Sequence, residues 1–283
     1  SLPHDRQLCP THTPIQFAPM AGPLRYGVGL LGLGTVGSQV AERLERGSEL
    51  VQRRTGVELS LKRVLVRDTA KARNFTPSAP LTTDAAEVID DPAVDIVVEV
   101  IGGEVPAHDY LRRAIMDGKH VVTANKEVMA KHGPDLQELA LAQGVDIYFE
   151  AAVGGGIPLI STFKIDLLAN EINRIEAIIN GTTNYILDGM SQGKTYDEAL
   201  DEARGLGYAE SDPSSDVDGH DSVFKLCIMA SIAFSSRFHP EQVYREGITH
   251  LQPRDFVYAR DMGYAIKLVA EGRKHDGAVE LKV

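Results

Sequence analysis

The segment GLGTVG, residues 32 to 37, constrains the fold of this chain more than any other feature of its sequence. It follows RYGVGLLG, which predicts a short buried strand, and it opens a segment with Val36, Val40 and Leu44 at helical spacing. A G-x-G-x-x-G pattern between a strand and a helix is the fingerprint of a dinucleotide-binding βαβ unit. The residues that we expect to contact the cofactor here are Gly32, Gly34, Thr35, Val36 and Gly37.

The three glycines of this motif have separate physical roles. The first permits the tight turn, the second lets a pyrophosphate approach the backbone, and the third allows close contact between helix and strand. The helix N-terminus adds free N–H groups and a partial positive charge, which suit a phosphate. We therefore predict a dinucleotide site, and the alternative is an ordinary glycine-rich turn.

Strand and helix patterns alternate through the first half of the chain. After the first strand, apolar strand segments are predicted over residues 61–68, 94–103, 119–126 and 145–156. The alternation favours a parallel sheet with helices on both faces, and continuous apolar runs such as DIVVEVI fit a sheet that is covered on both sides. The predicted fold class is α/β, a doubly wound, mostly parallel Rossmann sheet followed by a second α+β domain.

The pattern changes after Pro158 to the mixture expected of that second domain. A strand is predicted at NRIEAIIN, and Thr195 is the predicted N-cap of an amphipathic helix that ends in glycine. Helices are predicted over residues 160–172, 181–193, 195–207 and 263–272.

Composition excludes several classes of function. The chain has 29 basic and 40 acidic residues and a net charge of −11, which argues against nucleic acid or an anionic membrane as the main partner. No run of apolar residues is long enough to predict a membrane span. Two cysteines make no disulfide framework, so we expect a cytoplasmic protein.

The first 24 residues are rich in proline and show little periodicity, so they predict a disordered extension. His4, Cys9 and His12 within it lack the spacing of a zinc site. The other cysteine, Cys227, lies in an apolar run and is expected to pack as a small hydrophobic side chain.

The end of the second predicted strand bears on the choice of nucleotide. An acidic residue there binds the ribose 2′-hydroxyl of NAD, whereas an arginine accommodates the 2′-phosphate of NADP. The sequence offers Arg67, then Asp68, with Lys71 close behind. We predict NADP, bound through Arg67 and Lys71, because a guanidinium matches phosphate in a bidentate manner. NAD stays possible, and so does the alternative that these are solvated loop charges.

A second unusual segment is GYAESDPSSDVDGHDSVFKLCIMA, residues 207 to 230, which places acidic residues ahead of an apolar helical pattern. Lys225 is the only charged side chain between Ser222 and Ser236, and Asp216 is the predicted cap of that helix. Asp221 precedes Lys225 by one helical turn.

Two explanations of this lysine stay open at this point. Asp221 and Lys225 form either an ordinary i,i+4 ion pair, worth a few tenths of a kcal/mol, or a buried pair retained for chemistry. A buried lysine beside a carboxylate is a candidate proton donor. Glu210 and Asp216, on the preceding loop, are candidates for binding a substrate ammonium. Together they suit an amino acid with a reducible carbon.

Five motifs in order resemble those of homoserine dehydrogenase. They are GLGTVG (32–37), TANK (123–126), EAAVGGGIP (150–158), NGTTNYIL (180–187) and GYAESDPSSDVDGHDSVFK (207–225). The resemblance covers roughly residue 25 to the C-terminus and implies reversible, NAD(P)-dependent interconversion of L-homoserine and L-aspartate 4-semialdehyde in threonine, methionine and isoleucine biosynthesis. The rivals are a related Rossmann dehydrogenase with another substrate and a non-catalytic dinucleotide sensor.

The resemblance also implies roles for individual residues. Lys225 is the expected proton donor to the aldehyde oxygen, and Asp221 binds the same hydroxyl and fixes the lysine. Glu210 binds the substrate ammonium with help from Asp216. Lys126, in TANK, is the second active-site lysine, beside the nicotinamide and the substrate.

Two further expectations follow from the same resemblance. The family binds a monovalent cation, usually sodium, largely through main-chain oxygens, whereas the glycine-rich segment alone indicates only a hinge. The matching positions are Glu150, Val153, Gly155 and Ile157. The family also pairs subunits through its second domain, so NRIEAIIN is expected to be an edge strand in a homodimer.

The implied domains are a dinucleotide-binding domain over residues 25–155 and a substrate-binding and dimerisation domain over 156–283. Family members usually continue beyond the position of Val283, and DGAVELKV predicts a strand there. We therefore expect a truncated or naturally short second domain, which bears on activity and on feedback by threonine.

Overall fold

The computed structural model describes residues 23–73 and 75–283. The predicted N-terminal extension, with His4, Cys9 and His12, lies outside these residues except for its last two positions, and the first strand begins at Leu24. None of the helices in the described ranges is long and apolar enough to cross a membrane.

The first half forms a six-stranded parallel sheet with the strand order β3-β2-β1-β4-β5-β6. Its strands are β1 (Leu24–Leu31), β2 (Val57–Leu65), β3 (Leu81–Thr82), β4 (Ile96–Glu99), β5 (His120–Thr123) and β6 (Ile147–Tyr148). Strands β2 and β3 are added on one side of β1, and β4, β5 and β6 are added on the other, so the order of strands changes direction between β1 and β4. Doubly wound sheets bind their ligands at such a point. The predicted α/β fold class is confirmed.

Five helices accompany this sheet: α1 (Thr35–Arg46), α2 (Ser48–Thr55), α3 (Ala86–Ile89), α4 (Ala107–Met116) and α5 (Lys126–Gln143). The first helical pattern is split at Gly47, whose N–H caps the carbonyl of Arg43. The strand predicted over 145–156 is much shorter than expected, because after β6 the chain enters a 3₁₀ turn, Glu150–Ala152.

The second half is built around a three-stranded antiparallel sheet with the order β7-β8-β9. The strands are β7 (Arg174–Ala177), β8 (Ala270–His275) and β9 (Ala278–Lys282). Its helices are α6 (Gly181–Ser191), α7 (Tyr196–Gly205), α8 (Ser214–Val217), α9 (His220–Ala233) and α10 (Pro253–Asp261). NRIEAIIN thus contains an edge strand, β7, and the predicted capping by Thr195 is confirmed, with Glu198 completing a capping box.

Three local predictions for this half are wrong. The helix predicted over 263–272 is absent, because Gly263 turns in the left-handed region (φ 81°) and Ala270 begins a strand that pairs with β7. The segment 160–172 contains only a short π-helical turn, Thr162–Asp166. Asp216 does not cap the long helix, because it lies in the separate helix α8 and Gly219 (φ 83°) precedes α9.

Helix α9 joins the two halves through one continuous apolar core. It packs against α5 on one side and β8 on the other, and Leu226, Cys227 and Ala230 are fully buried among residues of both sheets. Burial raises the pKa of the Cys227 thiol to about 12, so this cysteine is a packing residue and not a nucleophile. The rigid contact between α5 and α9 fixes the relative position of the charged side chains at their N-termini.

Candidate active site

The N-terminus of α5 presents Lys126 at the carboxyl end of the parallel sheet. Asn125 caps the helix by accepting a hydrogen bond from Val128 N (3.1 Å). Its own N–H is held by Thr123 Oγ1 (2.9 Å), and that hydroxyl donates to the fully buried carboxylate of Glu99 (2.6 Å). A chain of buried hydrogen bonds therefore fixes the start of α5, and with it the base of Lys126.

The N-terminus of α9 brings Asp221 and Lys225 to the same place. Lys225 Nζ donates to Asp221 Oδ2 (2.7 Å) and to the carbonyl of Ile179 (2.9 Å). Lys126 Nζ donates to the other oxygen of the same carboxylate, Asp221 Oδ1. We call these three residues, Lys126, Asp221 and Lys225, the charged cluster.

Burial differs sharply within the charged cluster. The side chain of Asp221 is 2% exposed, that of Lys225 18% and that of Lys126 42%. Burial would raise the pKa of Asp221, but the nearby Lys225 charge and hydrogen bonds from both lysines outweigh it and hold that pKa below its ordinary value. Asp221 is a buried anion shared by two lysines, so the ordinary surface ion pair is excluded.

Asn180, which is not among the residues predicted from the sequence to form the site, completes this arrangement. It caps α6, accepting from Thr183 N (2.8 Å), while its Nδ2 donates to Asp216 Oδ1 (2.6 Å) and Asp221 Oδ2 (2.9 Å). An asparagine before GTT indicates an N-cap from sequence alone. Its contacts with carboxylates 36 and 41 positions away required the tertiary structure.

The two candidate ligands for an ammonium group are placed differently. Asp216 is half-buried in α8 and is tied to Asp221 through Asn180. Glu210 is exposed in the loop between α7 and α8, and no hydrogen bond joins it to another described residue. The structure therefore connects Asp216 to the charged cluster and leaves Glu210 outside it.

The segment 32–37, which we call the glycine turn, links β1 to α1. Gly32 has φ 105° and donates to the carbonyl of Leu65 (3.0 Å). A Cβ on Gly37 would lie 2.1 Å from the Gly32 carbonyl oxygen, so only glycine lets α1 approach the turn this closely. A Cβ on Gly34 would meet nothing within 4 Å.

The exposed side of the glycine turn fits a bound anion. Gly34, Thr35 and Val36 are exposed, and none of the described side chains caps the N-terminus of α1. The first N–H groups of the helix therefore face open space, as a dinucleotide site requires.

The loop after β2 contains the residues expected to select the nucleotide. Arg67 and Lys71 are exposed, and Arg67 makes no hydrogen bond to any other described residue. Asp68 Oδ1 accepts from Ala70 N (2.8 Å), so one oxygen of this acid helps to form the turn. Arg73, which the sequence analysis did not consider, braces the loop by donating to the Lys71 carbonyl (2.7 Å).

The segment 150–157 contains the four positions expected to bind a cation. The two carboxylate oxygens of Glu150 accept from Ile160 N and Ser161 N, each at 2.8 Å. Burial acts to raise the pKa of Glu150, but these backbone hydrogen bonds outweigh it and the pKa is lowered. The side chain of Glu150 is thus occupied by a structural role, and a cation here would need main-chain oxygens.

Main-chain oxygens in that segment are only partly available. The Val153 and Gly155 carbonyls accept no hydrogen bond from other described residues, whereas the Ile157 carbonyl accepts from Leu159 N (2.9 Å) and the Glu150 carbonyl from Val153 N (3.4 Å). Across residues 23–73 and 75–283, no cluster of three or more histidine, cysteine or acidic side chains is arranged to hold a metal. The four predicted positions thus offer two main-chain oxygens that accept no hydrogen bond within the described residues.

Comparison with known proteins identifies the family. The family profile described as homoserine dehydrogenase, NAD binding domain, matches residues 32–150, and the profile described as homoserine dehydrogenase matches 158–283. A solved hyperthermophilic archaeal homoserine dehydrogenase in complex with NADPH is 30% identical, with 92% of this chain and 81% of that chain covered and a TM-score of 0.74. This chain belongs to the homoserine dehydrogenase family.

Bacterial members of the homoserine dehydrogenase family are more similar in sequence. The structure of the Thiobacillus denitrificans homoserine dehydrogenase is 45% identical with a TM-score of 0.89, over 93% of this chain and 62% of that chain. The Bacillus subtilis homoserine dehydrogenase is 43% identical over 258 residues, 90% of this chain and 60% of the relative. The chain thus spans about three fifths of the length of these relatives.

The charged cluster combines side chains from the two regions that the homoserine dehydrogenase profiles match. Lys126 belongs to the region matched by the NAD-binding profile, whereas Asp221 and Lys225 belong to the region matched by the second profile. The Asp221 carboxylate therefore joins side chains from both matched regions.

Proposed function

We propose that this chain forms the cofactor and substrate sites of an NAD(P)-dependent homoserine dehydrogenase, which reversibly reduces L-aspartate 4-semialdehyde to L-homoserine. The observation that carries the proposal is the bridging of Lys126 and Lys225 by the buried carboxylate of Asp221. A cofactor sensor has no use for a buried lysine held by a carboxylate, whereas reduction of an aldehyde needs a proton at its oxygen. The reaction belongs to threonine, methionine and isoleucine biosynthesis, which suits a cytoplasmic protein.

Lys225 is the proposed proton donor of this reaction. Its ammonium is held by Asp221 and by the Ile179 carbonyl, so one N–H remains for the substrate oxygen. Asp221 orients that ammonium and compensates its positive charge until the proton passes to the substrate oxygen. Lys126, the most exposed member of the charged cluster, orients the aldehyde from the cofactor side. A nicotinamide, when bound, supplies the hydride.

Two of the acidic residues that precede α9 are proposed to recognise the substrate. We assign the ammonium of the amino acid to Asp216 and Glu210. Asp216 already lies one hydrogen-bonded residue from the charged cluster, and exposed Glu210 has its carboxylate available for a ligand. A site for an ammonium at one end and a site for an aldehyde oxygen at the other match the two ends of a short amino-acid semialdehyde.

The proposed cofactor is NADP, with NAD as the alternative. The pyrophosphate fits the open side of Gly34 at the N-terminus of α1, next to Thr35 and Val36. Exposed Arg67 and Lys71 supply two positive charges near the end of β2, where a 2′-phosphate would lie. Asp68 is the weaker candidate for binding a 2′-hydroxyl because its carboxylate already accepts from Ala70 N.

Three further proposals concern the assembly of the protein. The domains divide between residues 155 and 156, close to where the two family profiles meet. A monovalent cation such as sodium binds the segment 150–157, supported by the Val153 and Gly155 carbonyls, which accept no hydrogen bond from the described residues. Two copies pair through the second domain, supported by the edge position of β7 and by the 51% exposure of Ile178 beside it.

The activity is tested by mixing the protein with L-homoserine and NADP⁺, and then NAD⁺, at alkaline pH and following the absorbance of the reduced nicotinamide. We expect homoserine-dependent growth of that band, faster with NADP⁺. L-Serine and L-threonine are the control substrates. Equal rates with them would indicate another dehydrogenase, and NADPH binding that is insensitive to homoserine, without turnover, would indicate a sensor.

A further inference from the structure

We propose that Asn180 is a positioning residue that fixes the spacing between Asp216 and Asp221, and thereby between the sites for the two ends of the substrate. The inference rests on the proposed function, because it takes Asp216 as the ammonium site and Asp221 as part of the proton-transfer site. Asn180 is 5% exposed and lies between helices α6, α8 and α9.

The orientation of the Asn180 amide is determined by its surroundings. Thr183 N can only donate, and it lies 2.8 Å from Asn180 Oδ1, so that atom must be the oxygen. The Thr183 hydroxyl donates to the same oxygen at 2.9 Å. The nitrogen of the amide therefore faces the two carboxylates.

Each of the two amide hydrogens has its own carboxylate. Nδ2 lies 2.6 Å from Asp216 Oδ1 and 2.9 Å from Asp221 Oδ2, which places the two anionic oxygens roughly 5 Å apart. Two carboxylates at this separation repel each other. The shared amide offsets that repulsion on one side, while Lys126 and Lys225 neutralise Asp221 from α5 and α9.

Capping of α6 alone does not account for an asparagine here. A cap uses only the side-chain oxygen, and aspartate or serine serves as well in that role. Among capping residues, only asparagine combines this acceptor with two donor hydrogens on one nitrogen. The two carboxylates, which accept from Asn180 Nδ2, thus explain why the residue carries an amide NH₂ group.

The test uses two substitutions that retain the cap. Asn180→Asp keeps the capping oxygen, removes both donors and adds a third carboxylate, and Asn180→Ser keeps the cap without adding charge. For Asn180→Asp we expect a fall in kcat of about tenfold to a hundredfold, since hydrogen bonds to two charged groups are lost. We expect KM for homoserine to rise, and the acid limb of the pH–rate profile to move up by about one pH unit. Asn180→Ser shows the same loss in kcat with a smaller change in the acid limb.

A purely structural role of Asn180 predicts a different result. Thr195→Ala, which removes the exposed N-cap of α7, is the matched control because it costs helix stability far from the site. If the Asn180 variants behave as this control does, with lower thermal stability but unchanged KM and unchanged acid limb, the inference is overturned.

One readout does not depend on the activity. The ¹³C carboxyl resonance of Asp221 is followed through an acid titration in the parent protein and in Asn180→Asp. A midpoint at higher pH in the variant supports the inference, and identical midpoints overturn it. A parent protein that does not oxidise homoserine refutes the proposed function and with it the spacing of substrate sites, whereas the titration still decides whether Asn180 controls the protonation of Asp221.

Discussion

The glycine turn and the charged cluster are built in opposite ways. The glycine turn is made of backbone from six consecutive residues, it is exposed at Gly34, Thr35 and Val36, and it depends on the absence of side chains at Gly32 and Gly37. The charged cluster is made of side chains from two helices, and its central carboxylate is 2% exposed. One site is therefore complete within a short segment, whereas the other exists only after α5 and α9 have packed.

The two sites are therefore damaged by different changes. An added Cβ damages the glycine turn, because backbone atoms, unlike side chains, cannot rotate away from it. Loss of one charge damages the charged cluster, because its partners are then left buried without compensation. Substitutions can separate the effect of an added Cβ in the glycine turn from the effect of a lost charge in the charged cluster.

The largest effect is expected from Lys225→Met, which removes the proposed proton donor and retains an apolar side chain of similar length. Turnover of homoserine should fall about a thousandfold, the usual scale of general acid catalysis. NADPH binding, measured by fluorescence titration, should change little, because the glycine turn is untouched.

Lys194→Met is the matched control for that experiment. Lys194 pairs with Glu202 at the surface between α6 and α7, so its loss should leave turnover near that of the parent. Turnover of Lys225→Met within about tenfold of the parent would remove Lys225 from the mechanism.

Two alanine substitutions in the glycine turn should have contrasting effects. In Gly37→Ala the new Cβ would lie 2.1 Å from the Gly32 oxygen, so α1 must shift, with a cost of about 1–3 kcal/mol and loss of NADPH binding. In Gly34→Ala the Cβ has open space, so stability should be retained while NADPH binding weakens. Thermal unfolding and NADPH titration distinguish the two. Parent-like NADPH affinity in Gly34→Ala would show that the pyrophosphate does not approach this position.

The same contrast explains how much the sequence could predict. The glycine turn was predictable at the level of each residue, because the turn, the close approach and the helix start are all local. For the charged cluster the sequence indicated Asp221 and Lys225, since a lone lysine in an apolar helix needs a partner. The contact of Lys126 with Asp221 spans 95 positions and depends on how α5 packs against α9, which no local pattern specifies.

Errors in the predicted fold have a similar origin. The segment 263–272 has helical periodicity, yet pairing with β7 makes its last residues a strand. Asp216 has the chemistry of a helix cap, but the chain turns at Gly219 before α9 begins, and the Asp216 carboxylate accepts from Asn180 instead. The strand pairing of 270–272 and the contact of Asp216 with Asn180 are both tertiary contacts, and the second lies within the candidate site.

A moderate effect is expected at the nucleotide-selecting loop. Arg67→Ala should lower the preference for NADP⁺ over NAD⁺ by about tenfold, because a guanidinium–phosphate contact is charge-assisted. The ratio of kcat/KM for the two cofactors is the measurement. Arg54→Ala is the control, since this exposed arginine precedes β2 and so lies by the end of that strand opposite to Arg67. An unchanged ratio in Arg67→Ala would indicate that Arg67 is only a solvated loop charge.

The smallest effect is expected at a second ion network, which tests whether burial gives the charged cluster its importance. Hydrogen bonds from Lys131 and His132 lower the pKa of Glu104 to about 2, but its side chain is 35% exposed. A lowered folded-state pKa stabilises the protein above about pH 4.5, and this contribution is lost as the pH falls towards 2.

Glu104→Gln should therefore reduce stability near neutral pH by no more than about 1 kcal/mol, because solvent screens a network that is partly exposed. Its unfolding free energy should approach that of the parent as the pH falls from about 4.5 towards 2. Urea unfolding across that range measures both, with Glu58→Gln, which breaks the exposed pair with Arg25, as the control. A loss of several kcal/mol would mean that a partly exposed network can contribute as much to stability as one with a fully buried carboxylate. In that case the importance of the charged cluster would come from its number of ion pairs rather than from the burial of Asp221.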